Sequence, residues 1–307
     1  MSSDSLLSTR LFADYPGRPR ALQGASLEVA PGEIVGLVGE SGSGKSTIAL
    51  AILRLLHLRG GIVEGEIRFG GRDLMEIPER EMRRVRGRDI ALVLQSPISS
   101  LNPAMRIGDQ IRESWRAHRK NYARPFSRRD VIDLLRGVSL EADEEFLRRY
   151  PRQLSVGQAQ RVLIALAIVH RPRLLIADEP TSALDAVTQA EILRLFVRLS
   201  SEMDMGILLI SHDLLSVGSI CRRVAILSEG RVVEFGPTGQ IFRRPAHSYT
   251  RALIASIPKL PEGLSPSWVE RRDAQAAPPC YEAADEELDY AGVGAVQAAT
   301  GFRESGR

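Results

Sequence analysis

The run Gly39-Glu40-Ser41-Gly42-Ser43-Gly44-Lys45-Ser46 constrains this chain more than any other stretch. Its spacing of glycines, lysine and hydroxyl matches a phosphate-binding loop. It also falls where such a loop belongs, between an apolar strand pattern over Glu33 to Gly39 and a helical run over Lys45 to Leu56. Backbone amides of a glycine-rich turn can surround phosphate oxygens, while the following helix directs its positive end toward them. Lys45 is suited to neutralise the β and γ phosphates and Ser46 to ligate Mg²⁺, with Gly39, Ser41, Gly42, Ser43, Gly44 and Thr47 completing the cradle. A nucleoside triphosphate is the expected ligand.

The rest of the composition narrows the class. A length of 307 residues allows one large domain or two of ordinary size and excludes a miniature stapled fold. Cys221 and Cys280 form neither a CxxC pair nor a disulfide framework, which fits a reducing compartment. The strongly apolar stretches Ile48 to Leu56 and Val162 to Val169 are too short to cross a bilayer, and no export segment precedes the first charged loops. The net charge of +3 hides an acidic C-terminal segment: residues 259–307 carry −4, leaving +7 before them. In the basic run Arg80 to Arg88, helical spacing would group Arg80, Arg84 and Arg88, either as an ordinary salt-bridged face or as a patch for a polyanion or membrane surface.

Along the chain, short strands are expected at Ser26 to Val29, Glu66 to Phe69 and Ile90 to Leu94. From about Met105 to Tyr150 the sequence is more polar and helical, the pattern of an inserted subdomain. Helical character continues over Val156 to Val169, and Ala190 to Leu199 separates strands at Leu174 to Ala177 and Ile207 to Ile210. The chain thus returns to an α/β core after the insertion. A hairpin is expected over Arg223 to Gly236 with Glu229-Gly230 at its turn, and beyond Pro258 no period survives, so a flexible tail is expected.

Further residues fit chemistry at a terminal phosphate. Asp178 ends a buried strand and should hold Mg²⁺, while its neighbour Glu179 could orient or deprotonate the attacking water. Gln95 ends the Ile90 to Leu94 strand, where its amide can approach the metal and the water. His212 follows the Ile207 to Ile210 strand and can bond the γ phosphate or help hold the water. In Leu154-Ser155-Val156-Gly157-Gln158, Ser155 and Gln158 have capping-box spacing, and a helix starting there presents amides suited to another γ phosphate. Each has a plainer reading as well: a solvated carboxylate, a polar loop residue, a structural histidine, a helix cap.

Over about residues 6 to 258 these motifs resemble the nucleotide-binding subunits of ATP-binding cassette transporters, especially the peptide/nickel importer branch. The resemblance implies a P-loop NTPase cassette with a mixed β core, an antiparallel β subdomain and an inserted helical signature subdomain at approximately 101–160, with the cassette covering 1–258 and the tail 259–307. It implies Mg²⁺-dependent ATP hydrolysis, with Lys45, Ser46, Gln95, Asp178, Glu179 and His212 around one ATP. Ser155, Gly157 and Gln158 would face the ATP of a second cassette, Asp185 would lie in the loop joining the two halves, and Tyr15 would stack on adenine. The implied partners are that second cassette, a heterodimer favoured over a homodimer, two membrane permease subunits and an extracytoplasmic solute-binding protein, at the cytoplasmic side of the membrane and without stable nucleic acid.

Two segments carry the branch assignment: Ser96 to Ile111, and His247-Ser248-Tyr249-Thr250 followed by Ile257-Pro258. Cys280 alone is too few thiolates for an iron–sulfur cluster. Val156 stands where the family signature commonly has glycine, which predicts slower hydrolysis at the site it completes. The alternatives are a soluble nucleic-acid or translation-associated ATPase and a weakly catalytic regulatory cassette.

Overall fold

The computed structural model describes residues 5–118 and 126–257. The tail, with Cys280, lies outside the described residues. Two sheets organise the chain. One is antiparallel, in the order β2-β1-β4-β5, from β1 (Leu7–Tyr15), β2 (Arg18–Val29), β4 (Ile62–Phe69) and β5 (Arg72–Asp73). The other is mixed, in the order β10-β9-β3-β8-β7-β6, from β3 (Ile34–Val38), β6 (Ile90–Val93), β7 (Leu174–Asp178), β8 (Gly206–Ser211), β9 (Arg223–Ser228) and β10 (Arg231–Pro237). Only β10 runs against its neighbour in that sheet.

The mixed sheet is covered on both faces, so its strands read as unbroken apolar runs. The period of two survives in which core each side chain enters. Ile34 and Val38, Leu175 and Ala177, Ile207 and Leu209, and Val224 and Ile226 join one core. Their neighbours Val35 and Leu37, Leu174 and Ile176, Leu208 and Ile210, and Ala225 and Leu227 join the other. The second core is closed by the antiparallel sheet and by α1 (Lys45–Ile52), through Leu7, Leu11, Leu27, Ile48 and Ile52, with α2 (Glu79–Val85) adding Met82.

The first core receives the remaining helices. After α3 (Pro97–Ser100), α4 (Ile107–Ala117), α5 (Arg128–Gly137) and α6 (Glu144–Arg148) contribute Ile107, Ile111, Val131, Leu135 and Phe146. They fall within the segment expected to be an inserted helical subdomain. Then α7 (Val156–Ile168), α8 (Ala186–Met203), α9 (Leu214–Ile220) and α10 (Thr238–Arg243) cover the sheet, and α11 (Ser248–Ala255) follows. Gly36 shows how closely α9 approaches: a Cβ there would lie 2.3 Å from Val217 Cγ1.

Several sequence expectations shift. β1 has no counterpart in the sequence reading: Leu7, Ser8 and Thr9 are all buried, so the alternation of buried Leu11 and Ala13 with exposed Arg10 and Asp14 covers only its second half. α1 stops at Ile52, and Leu56 belongs to a separate one-turn helix, Leu56–Arg59. α8 is longer than its apolar stripe at both ends. The arginines do not share one helical face, since α2 ends at Val85. Arg86 is instead largely buried, bonded to Glu79 at 2.6 Å and to the Leu53 carbonyl at 2.7 Å, while Arg88 pairs with Asp89 at 2.6 Å. Arg86 and Arg88 are thus salt-bridged, while Arg80 and Arg84 are exposed. The Glu229-Gly230 turn is as expected, both residues having positive φ as a tight hairpin requires.

Arg223 at the start of β9 grips Glu33, just before β3, through two bonds of 2.7 Å, and Glu33 also accepts from the Ala30 amide at 3.0 Å. Glu33 is 7% exposed and Arg223 18% at the side chain. Removing one member would strand the other charge away from water. Glu33→Ala is expected to lower stability by about 3 kcal/mol in denaturant titration.

Candidate active site

Strands β3, β8, β7 and β6 are parallel, so their C-terminal ends emerge on one edge of the sheet. The phosphate loop follows β3, Asp178-Glu179 ends β7, His212 follows β8 and Gln95 lies just beyond β6.

The loop is held from behind by close backbone packing. A Cβ on Gly39 would come 2.2 Å from the Leu227 carbonyl, and one on Gly44 3.0 Å from the Ala21 carbonyl. Gly44 caps α1 at φ 112, a conformation glycine alone adopts cheaply. The β9–β10 turn braces the loop as well, the Gly230 amide donating to the Ser43 carbonyl at 3.0 Å. Lys45 is buried and donates from Nζ to the Gly39 carbonyl at 2.7 Å and the Glu40 carbonyl at 2.8 Å. Burial lowers its pKa, against the pull of Glu179, Asp178 and Glu40. Ser41, Gly42 and Ser46 are exposed and Thr47 is half-buried.

Asp178 has the opposite problem. Its Oδ1 is fully buried with no hydrogen-bond partner. Burial raises its pKa, opposed by a bond from the Ser46 hydroxyl. A carboxylate oxygen without a donor, beside a hydroxyl on the next element, is the donor set a hard divalent cation takes. The two expected Mg²⁺ ligands are thus brought together. Gln95 is exposed and forms no side-chain hydrogen bond within the described residues.

Glu179 adopts φ 50, rare for a residue with a side chain. Its amide donates to the Ile210 carbonyl of β8 at 2.9 Å, which fixes the carboxylate beside the next strand end. Glu179 Oε2 meets His212 Nδ1 at 2.7 Å, with the glutamate side chain 13% exposed and the histidine 63%. The fold thus brings Glu179 and His212 into direct contact.

Ser155 caps α7, accepting from the Gln158 amide at 3.2 Å while Gln158 Oε1 accepts from the Ser155 amide at 3.1 Å. Ser155 and Val156 are exposed. Gly157 is fixed by contact, since a Cβ there would lie 2.8 Å from Thr188 Cγ2. Thr188 in turn donates from its hydroxyl to Asp185 at 2.7 Å, and Asp185 caps α8. The Thr188 bonds hold the Asp185 carboxyl below its usual range. Sequence reading missed Gln189, whose amide donates to Asp213 at 2.8 Å and so ties the helix of Asp185 to the loop of His212. Its position one helical turn after Asp185 was the available signal. Tyr15 is half-buried at the end of β1, with Gly61 beside its ring.

Because the raised Asp178 pKa means that the folded chain binds that proton more tightly than the unfolded one, ionising it costs stability. The stability that this tighter proton binding contributes is present below the ordinary value of 3.8 and is lost as pH rises through the folded value. Asp178→Asn is therefore expected to raise the melting temperature of metal-free protein at pH 7, with the gain shrinking as pH falls toward 3.8. Calorimetry across pH checks this.

The family model described as "ABC transporter" matches residues 22–182, and "Oligopeptide/dipeptide transporter, C-terminal region" matches residues 233–282. A probable peptide ABC transporter ATP-binding protein of Sinorhizobium fredii is 44% identical over 81% of this chain and 77% of its own length. The oligopeptide transport ATP-binding protein OppD of Bacillus subtilis is 41% identical over 81% of this chain and 70% of its own. For the glutathione import ATP-binding protein GsiA of Escherichia coli the match is 44% over 78% of this chain, but spans only 39% of that longer protein. Among solved structures, the ATP-binding cassette MJ0796, a dimer in a post-hydrolysis state bound to ADP and Pi, superposes with a TM-score of 0.64 at 27% identity, over 76% of this chain and 98% of that one. With the site assembled and these likenesses in hand, the chain belongs to the ABC transporter family, as an ATP-binding and ATP-hydrolysing subunit.

Proposed function

We propose that this chain powers import of peptide-like solutes, binding Mg²⁺-ATP at the sheet edge and hydrolysing it against a second cassette. The observation that carries the chemistry is the 2.7 Å contact between Glu179 and His212 on the same edge as the Lys45 loop. Glu179 orients a water for in-line attack on the γ phosphorus and takes its proton, and His212 steadies that carboxylate. Lys45 turns from the Gly39 and Glu40 carbonyls to the β and γ phosphates, where loop amides share the charge. Asp178 and Ser46 would hold Mg²⁺, which when bound offsets phosphate charge. Gln95 approaches this centre on nucleotide binding, and Tyr15 stacks on adenine.

Ser155, Gly157 and Gln158 complete the site of a second cassette, and Asp185 joins the two halves. Val156 slows turnover at that composite site, so a heterodimer with an intact partner signature is favoured. No helix among the described residues is long and apolar enough to cross a membrane. Two permease subunits therefore supply the pathway, with this chain on their cytoplasmic side and a solute-binding protein delivering cargo. The names of the relatives favour peptides or glutathione over nickel. The cassette is assigned to 1–258 and the tail to 259–307.

In the complex reconstituted with its permeases, Glu179→Gln is expected to slow ATP hydrolysis by about 100-fold or more while leaving ATP affinity near normal. Equal turnover in variant and parent would remove the assignment. Stimulation of the parent complex by peptide with its binding protein, set against Ni²⁺, tests the solute class.

A further inference from the structure

The motif His247-Ser248-Tyr249-Thr250 has so far no part in the chemistry, yet it touches the phosphate loop. The Glu40 amide donates to the Tyr249 hydroxyl at 3.1 Å, across 209 residues of sequence. Its meaning lies in the peptide unit involved. The Glu40 N–H and the Gly39 carbonyl belong to one planar trans peptide, so they point in opposite directions. Tyr249 holds the N–H side at 3.1 Å and Lys45 Nζ the carbonyl side at 2.7 Å. Bonds at the two ends of one amide polarise each other in the same sense. We infer that Tyr249 is a positioning residue for ATP binding, setting the orientation of the Gly39–Glu40 peptide and thereby the resting place of Lys45.

The hydroxyl is built to stay in place. The Tyr249 ring packs against the larger core. The segment leading into α11 is tied to β10, where both oxygens of Glu234 accept, from the Ala246 amide at 3.0 Å and the His247 amide at 3.2 Å. His247 Nδ1 accepts from the Tyr249 amide at 3.2 Å and caps the helix. Thr250 is fully buried. Burial also raises the Tyr249 pKa, which keeps the phenol neutral. A loop whose first peptide is fixed binds ground state and transition state alike, so its loss should raise KM and leave kcat alone.

This inference rests on the ATP-binding reading above. Tyr249→Phe in the full chain keeps the ring and removes one hydrogen bond, and is expected to weaken ATP binding by about fivefold in titration calorimetry. In the reconstituted complex KM for ATP should rise by the same factor with kcat within about twofold. Hydrogen exchange at the Glu40 amide should accelerate, with or without nucleotide. Thr250→Val, one residue along the same helix, should leave ATP affinity unchanged. Unchanged affinity and exchange in Tyr249→Phe, a fall in kcat at constant KM, or an equal loss of affinity in Thr250→Val would each overturn the inference. If the parent chain fails to bind ATP, the functional reading fails instead, and the exchange measurement still decides the role of Tyr249.

Discussion

Everything in this site depends on four strands running the same way. Because β3, β8, β7 and β6 are parallel, groups from four widely separated parts of the chain arrive at a common edge. These strands are buried on both faces: each divides its side chains between two cores, one covered by helices and the other by the antiparallel sheet with α1 and α2. The chemistry is therefore a consequence of how the sheet is buried. The strands supply the positions, and the turns after them supply the groups.

Those groups are held in states that folding alone would not choose. Lys45 is buried and its charge is satisfied by two backbone carbonyls. Asp178 has an unsatisfied oxygen, and Glu179 has a backbone conformation that side chains seldom adopt. The unsatisfied oxygen and the strained backbone are costs carried by the surrounding packing.

Elements remote in sequence keep the loop ready. The β9–β10 turn bonds Ser43, the Ala21 carbonyl limits Gly44, and Tyr249 bonds Glu40. Gly157, Thr188 and Asp185 form a contact chain from α7 to the start of α8, and Gln189 extends it to Asp213. The surface that would meet a second cassette is thereby linked by direct contact to the loop that carries His212.

The phosphate loop, the strand-end carboxylates, the capping box at Ser155 and the Glu229-Gly230 turn were legible in the sequence, because each is a local pattern whose chemistry needs particular residues at fixed spacing. The resemblance they carry fixed the family. What the sequence could not show was anything decided by burial on two sides. β1 hid because its first three residues, Leu7 to Thr9, are all buried and leave only a short alternation after them, and Arg86 reads as surface charge although it is folded under Leu53 and Glu79. Lys45 resting on Gly39, Glu179 beside His212 and Tyr249 on Glu40 depend on which elements become neighbours, and only the packed sheets set that.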